Sequence, residues 1–194
     1  MNICLYGASS TEIDESYIKA TEILGEKLGK RGHNLVYGGG ANGLMGAAAR
    51  GVRKGGGNVI GVAPSFFKVD GVLFEDCTEF IYTETMRQRK ATMEERADAF
   101  IAVPGGIGTF DELFEILSLK QLGRHSKAVT VFNINGYYDS FKNLLENSVN
   151  EKFMTETSGK MAHVFEDADL LIDYLENYTA DEFDFSVLRK VKKD

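Results

Sequence analysis

The chain has 194 residues, 43% of them apolar, which is enough material for one sizeable hydrophobic core. Its 29 Asp and Glu against 22 Lys and Arg leave a net charge of −7, so it lacks the overall basic field on which non-specific nucleic-acid binding rests. With 21 glycines against 2 prolines and no repeat period, the backbone needs close approach or positive φ at many points, while collagen-like, disordered and disulfide-stapled classes are excluded.

Met1 to Tyr6 carries no basic region and only a short apolar run before Gly7, which predicts neither a signal peptide nor a membrane span. A cytoplasmic location is the expectation. Cys4 and Cys77 lie far apart and fit a reducing compartment, as buried small hydrophobes rather than a disulfide pair. His33, His125 and His163 are too scattered for a local metal-ligand spacing, and neither a metal nor a cofactor is expected.

In chain order, Ile3–Tyr6, Asn34–Tyr37, Asn58–Val62, Glu79–Thr83, Ala99–Val103 and Ala128–Phe132 read as strands. Between and after them, Ser16–Lys30, Gly43–Lys54, Thr85–Arg96, Thr109–Leu122, Tyr138–Asn147 and Glu166–Tyr178 have helical period. Strands without polar alternation, each followed by a helix, predict an α/β fold: a Rossmann-like, doubly wound parallel sheet with helices on both faces. The expected organisation is one domain over 1–180 and a solvated C-terminal appendage over 181–194. The stretch Pro64–Asp76 reads as irregular, and its Phe66, Phe67, Val72, Leu73 and Phe74 suit a loop over a site or a contact surface.

Three glycine-bearing turns follow predicted strands, at the edge where open α/β sheets bind ligands. Gly7-Ala8-Ser9-Ser10 leaves space and hydroxyl donors, Ser9 among them. Gly38 through Gly46 has five glycines in nine positions, so that at Gly39 and Gly40 the backbone can lie directly against a ligand and expose its N–H groups. It is not the dinucleotide fingerprint, because Lys54 through Lys68 contains no acidic residue to meet a ribose.

Pro104-Gly105-Gly106-Ile107-Gly108-Thr109 enters a helix directly after a strand, where free N–H groups and the helix dipole converge on an anion. No lysine stands beside Thr109, so the Walker pattern of P-loop hydrolases is missing. Glu112 and Glu115 follow on a shared helical face in apolar surroundings. A carboxylate beside a phosphate needs a cation, and Met86-Arg87-Gln88-Arg89-Lys90 supplies it, with Arg89 on one face with Met86 and Met93. Spacing leaves the plainer alternatives open: an exposed helix on which Arg87, Arg89 and Lys90 balance Glu94 and Glu95, and a Glu112 that merely complements a helix dipole.

At these residues the chain resembles the Lonely Guy (LOG) family, cytokinin riboside 5′-monophosphate phosphoribohydrolases long mislabelled as lysine decarboxylases. The family's PGGxGTxxE motif matches Pro104 through Glu112, its arginine motif resembles Met86 through Lys90, and its GGGxxGLMG segment matches Gly38 through Gly46. Gln121-Leu122-Gly123 and Asn135-Gly136-Tyr137-Tyr138 are also similar, so that the likeness runs from about Asn2 to Phe153. The resemblance implies hydrolysis of an N⁶-modified adenosine 5′-monophosphate, or of AMP itself, to free base and ribose 5-phosphate. It also implies a homodimer or larger homo-oligomer, while the acidic charge and the short apolar runs predict no nucleic-acid or membrane partner. Arg89 and Glu112 would be the catalytic pair. Ser9, Gly39, Gly40, Met86, Lys90, Gly105, Gly106, Ile107, Gly108, Thr109 and Glu115 would bind the nucleotide. Pro64–Asp76 departs from the plant members, so no ligand contacts carry over there. A nucleotide-binding sensor or carrier without turnover is the alternative function, and a decarboxylase finds no lysine in a Schiff-base context.

Overall fold

The computed structural model describes residues 1–180; the appendage expected over 181–194 lies outside the described residues. The chain runs β1 (Asn2–Tyr6), α1 (Glu15–Lys30), β2 (Asn34–Tyr37), α2 (Gly43–Lys54), β3 (Val59–Pro64), β4 (Glu79–Thr83), α3 (Met86–Arg96) and β5 (Ala99–Ala102). It continues with α4 (Ile107–Gln121), β6 (Ala128–Phe132), α5 (Asp139–Asn150), α6 (Glu156–Gly159), β7 (His163–Phe165) and α7 (Ala168–Glu176).

All seven strands pair in parallel, in the order β4-β3-β2-β1-β5-β6-β7. This is the doubly wound α/β arrangement that the alternating apolar runs predict. The six predicted strands and six predicted helices all form. β7 and α6 escape a periodicity reading because three or four residues cannot display a period.

Both faces of the sheet are covered. Ile3, Leu5, Leu35 and Tyr37 pack with Leu24 and Leu28 of α1, Ala48 and Val52 of α2, and Leu171 and Ile172 of α7. The alternate residues Cys4, Tyr6, Val36 and Phe100 pack with Met93 of α3, Leu113 and Ile116 of α4 and Phe141 of α5. The period of two thus sends successive strand residues into two separate cores. No helix among the described residues is long and apolar enough to cross a membrane.

The strand order reverses between β1 and β5, so the loops leaving their carboxyl ends diverge to opposite faces and open a crevice. Gly7 follows β1 there, and Pro104 follows β5. Helix starts are set locally. Asp14 caps α1, Asp167 caps α7, and Thr85 with Gln88 forms a reciprocal capping box on α3.

Part of the glycine excess is spent away from any ligand. Gly25 and Gly29 of α1 face Gly51 and Gly55 at the end of α2, and a Cβ on Gly25 would lie 2.5 Å from the Ala48 carbonyl oxygen. Each of the other three would likewise meet backbone of the opposite helix, so bare backbone is what lets the two helices touch. Gly25→Val is expected to cost about 1–3 kcal/mol by overpacking, lowering Tm by roughly 2–12 °C. A calorimetric scan with unchanged Tm would mean that α1 and α2 separate freely.

Candidate active site

The crevice between β1 and β5 holds a cleft of about 640 Å³. Three loops build it and are joined at one residue. The Ala8 N–H donates to the Pro104 carbonyl at 3.1 Å, and the Ala8 carbonyl accepts from the N–H groups of Leu44 and Met45 at the start of α2. The turn after β1 therefore ties the loop after β2 to the loop after β5.

α2 and α4 both begin at this cleft, and neither has a side-chain cap, in contrast to α1, α3 and α7. The first-turn N–H groups of a helix have no intrahelical acceptor; at α2 the Ala8 carbonyl already takes those of Leu44 and Met45, so the start of α4 is the place for an anion. At α4 the N-cap is Gly106; neither Gly106 nor Gly108 would meet any atom within 4 Å if it carried a Cβ, so their bareness keeps the cleft open. Thr109 is buried, its hydroxyl packed against the bare face of Gly105.

Arg89 of α3 is 7% exposed, which removes the exposed-helix reading for this residue; Arg87 is the exposed one. Its Nε donates to the Val62 carbonyl at 3.2 Å, and its Nη1 donates to Glu112 Oε1 at 2.5 Å. A Cβ at Gly38 would fall on Nη2 of the same guanidinium, so Gly38 is the floor on which the arginine lies. Burial pushes the Glu112 carboxyl above the ordinary glutamate range, while the charge and hydrogen bond of Arg89 oppose it.

Beside this pair, Lys90 Nζ reaches Glu115 at 2.6 Å and Asp111 at 3.0 Å. The hydrogen bond that Lys90 donates to Glu115 raises the lysine's pKa, and the one it donates to Asp111 adds to this against burial. A lysine held protonated in this way is the opposite of the neutral amine a Schiff base requires.

The expected ligand residues fall into two groups. Ser9, Gly40, Met86, Arg89, Lys90, Gly106, Gly108, Thr109 and Glu112 line the cleft. Glu115 and the 84% exposed Ile107 instead line a separate groove along the outer face of α4. Gly39, at φ 76°, accepts from the Phe74 N–H, and Gly105 accepts from the Tyr137 hydroxyl. Both lie behind the lining.

A model for the family described as "Possible lysine decarboxylase" matches residues 45–175. The cytokinin riboside 5′-monophosphate phosphoribohydrolase LOG2 of Arabidopsis thaliana is 39% identical over 183 residues, 94% of this chain and 86% of the relative. The chain belongs to the Lonely Guy family. The cytokinin riboside 5′-monophosphate phosphoribohydrolase LOG of Oryza sativa subsp. japonica is 41% identical over 176 residues, 91% of this chain and 73% of that one.

Solved structures show the same fold at lower identity. The molybdenum cofactor carrier protein of Chlamydomonas reinhardtii superposes with a TM-score of 0.68 at 22% identity, covering 90% of this chain and 95% of that one. The molybdenum cofactor binding protein of Rippkaea orientalis gives 0.66 at 20%, covering 90% and 93%.

In this Lonely Guy protein the stretch after β3 forms one wall of the cleft. The Ala41 N–H donates to the Val72 carbonyl, Gly40 bridges Leu73, and Phe67, Val72 and Leu73 line the cleft. Of the two roles its apolar residues suit, this is the loop over the site. Asn42 and Asp111 also line the cleft and are absent from the expected set. Asn42 precedes a helix in the sequence, which was a usable signal; Asp111 sits inside the matched motif.

Gly38→Ala is expected to leave helix content unchanged by circular dichroism and to lift the Arg89 guanidinium off its floor. Nucleoside monophosphate binding should weaken about tenfold or more, since the Arg89–Glu112 hydrogen bond, worth ~1.5–3 kcal/mol, would no longer offset the carboxylate's charge beside the phosphate. Equal affinity by calorimetry would show that the guanidinium has room elsewhere.

Proposed function

We propose that this protein hydrolyses the N-glycosidic bond of an adenosine 5′-monophosphate carrying an N⁶ substituent, releasing the free base and ribose 5-phosphate. The observation that carries the proposal is a carboxylate only 11% exposed, Glu112, ion-paired to a buried arginine one turn into a helix whose uncapped start faces the cleft.

Cleavage of the C1′–N bond develops oxocarbenium character on the ribose. The Glu112 carboxylate stabilises that charge and takes a proton from the attacking water, whose oxygen bonds to C1′ while the bonding pair leaves with the base; the water's proton ends on that base and the carboxylate is regenerated. Gly106, Ile107, Gly108 and Thr109 hold the 5′-phosphate through the start of α4. Arg89 fixes the carboxylate and offsets its charge beside the phosphate, while Met45, Val72 and Leu73 offer apolar surface to the base.

A sensor or carrier that binds nucleotide without turnover is the second reading. Solved neighbours of the same fold bear the names of carrier and binding proteins. The largely buried Glu112 favours turnover, since phosphate binding alone gains nothing from a carboxylate there. The likeness to the family also supports a homodimer, for which Ile107, Phe114 and Leu144 on α4 and α5 offer exposed apolar surface. Sedimentation at micromolar concentration checks that state.

Incubation with AMP and with isopentenyladenosine monophosphate, followed by chromatography for free base, tests the reaction directly. Glu112→Gln should retain nucleotide binding and lose base release by about 10²–10⁴-fold, and wild-type turnover in that variant would remove Glu112 from the chemistry.

The pH dependence has a defined sign. The reaction needs the ionised carboxylate, and burial raises the pKa of Glu112, so kcat/KM should fall as pH drops, with its midpoint above the ordinary glutamate value of 4.5. A rate profile flat down to that value would contradict the role.

A further inference from the structure

Asn135-Gly136-Tyr137-Tyr138 is a motif that the proposed chemistry does not use. Asn135 and Gly136 have consecutive left-handed conformations, at φ 53° and 73°, a tight reversal that Asn and Gly tolerate best. The Asn135 side-chain amide donates to Ser16 Oγ at 2.8 Å, tying the turn to the start of α1. The turn delivers two tyrosines to the loop after β5, each with its hydroxyl on a backbone carbonyl.

Tyr138, buried, donates to the Val103 carbonyl at 2.8 Å, and Tyr137 donates to the Gly105 carbonyl at 2.6 Å. The Pro104 carbonyl between them accepts from Ala8, and the Gly106 carbonyl accepts from Phe110 at 3.0 Å. Four successive carbonyls are thus each held by a donor.

In a trans peptide the C=O and the following N–H point in opposite directions, so holding the Gly105 carbonyl fixes the Gly106 N–H. The Gly105–Gly106 peptide has glycine on both sides and no Cβ to resist its rotation. The Tyr137 hydroxyl is what holds it. The neighbouring Val103–Pro104 peptide differs, because proline nitrogen carries no hydrogen and the Tyr138 bond therefore aims no donor.

We propose that Tyr137 is a positioning residue that locks the Gly105–Gly106 peptide so that the Gly106 N–H faces an anion in the cleft. The inference rests on the reading of the α4 start as the phosphate subsite and extends it to a residue outside the cleft lining. The ring of Tyr137 stays packed edge-on against Tyr17 and Tyr138 when the hydroxyl alone is removed, so Tyr137→Phe leaves the fold in place.

Calorimetric titrations of the full chain with AMP, inorganic phosphate and adenosine test it. In Tyr137→Phe the Kd for AMP and for phosphate should rise about 3- to 10-fold, one neutral hydrogen bond's worth, with the Kd for adenosine unchanged. In Tyr138→Phe the Tm should fall while AMP affinity stays within about twofold of wild type. Unchanged AMP affinity in Tyr137→Phe overturns the proposal. So does equal weakening of AMP and adenosine, or equal weakening in the two variants. Binding needs no turnover: absence of base release by the wild type would remove the hydrolase reading and leave this outcome standing.

Discussion

The ion pair between Arg89 and Glu112 organises the catalytic end of this molecule. Arg89 is buried and Glu112 largely so, and two charges withdrawn from water are tolerated only where each finds its partner and further hydrogen bonds. Each half makes a demand on a different part of the fold. Arg89 needs the Val62 carbonyl at the end of β3 and the bare backbone of Gly38 after β2. Glu112 needs α4 to start close enough to α3 for its carboxylate to meet the guanidinium. Two strand ends and two helices are thereby held in one relation, and removing either partner would strand the other charge, at a cost of about 3–5 kcal/mol.

The negative charge of the chain is compatible with a phosphate ligand for the same reason. At Arg89 the guanidinium is committed to Glu112, and Lys90 is committed to Glu115 and Asp111, so neither cation is free to act alone. The remaining attraction for an anion lies in peptide dipoles at the start of α4, which carry no net charge and need no counter-ion. Their orientation is therefore the quantity the structure must control. The accounting of carbonyls from Val103 to Gly106, each with its own donor, is how that control is exercised.

The parallel sheet was legible in apolar runs such as Ala99–Val103 and Ala128–Phe132, because strands covered on both faces tolerate few polar residues. Segments of three or four residues, β7 and α6, lack the length for a period. The glycines show a sharper limit. Composition and position placed Gly38 and Gly105–Gly108 beside a ligand, while Gly25, Gly29, Gly51 and Gly55 look the same in sequence and serve helix contact. A glycine discloses that something comes close, and only the fold says what. Glu112 and Glu115 make the same point: one helical turn apart, they separate into a largely buried member and one facing the outer groove, because the cleft wall passes between them.

By itself, the sequence determined the fold class, the strand ends at which ligand loops sit and the residue types gathered there, since period and motif are local properties of the chain. Tertiary structure decided which of Arg87, Arg89 and Lys90 is buried, which glutamate the buried arginine meets, and that Tyr137 reaches back 32 residues to the Gly105 carbonyl. Those are contacts between helices and loops attached to different strands, and they exist only once strands remote in sequence lie side by side.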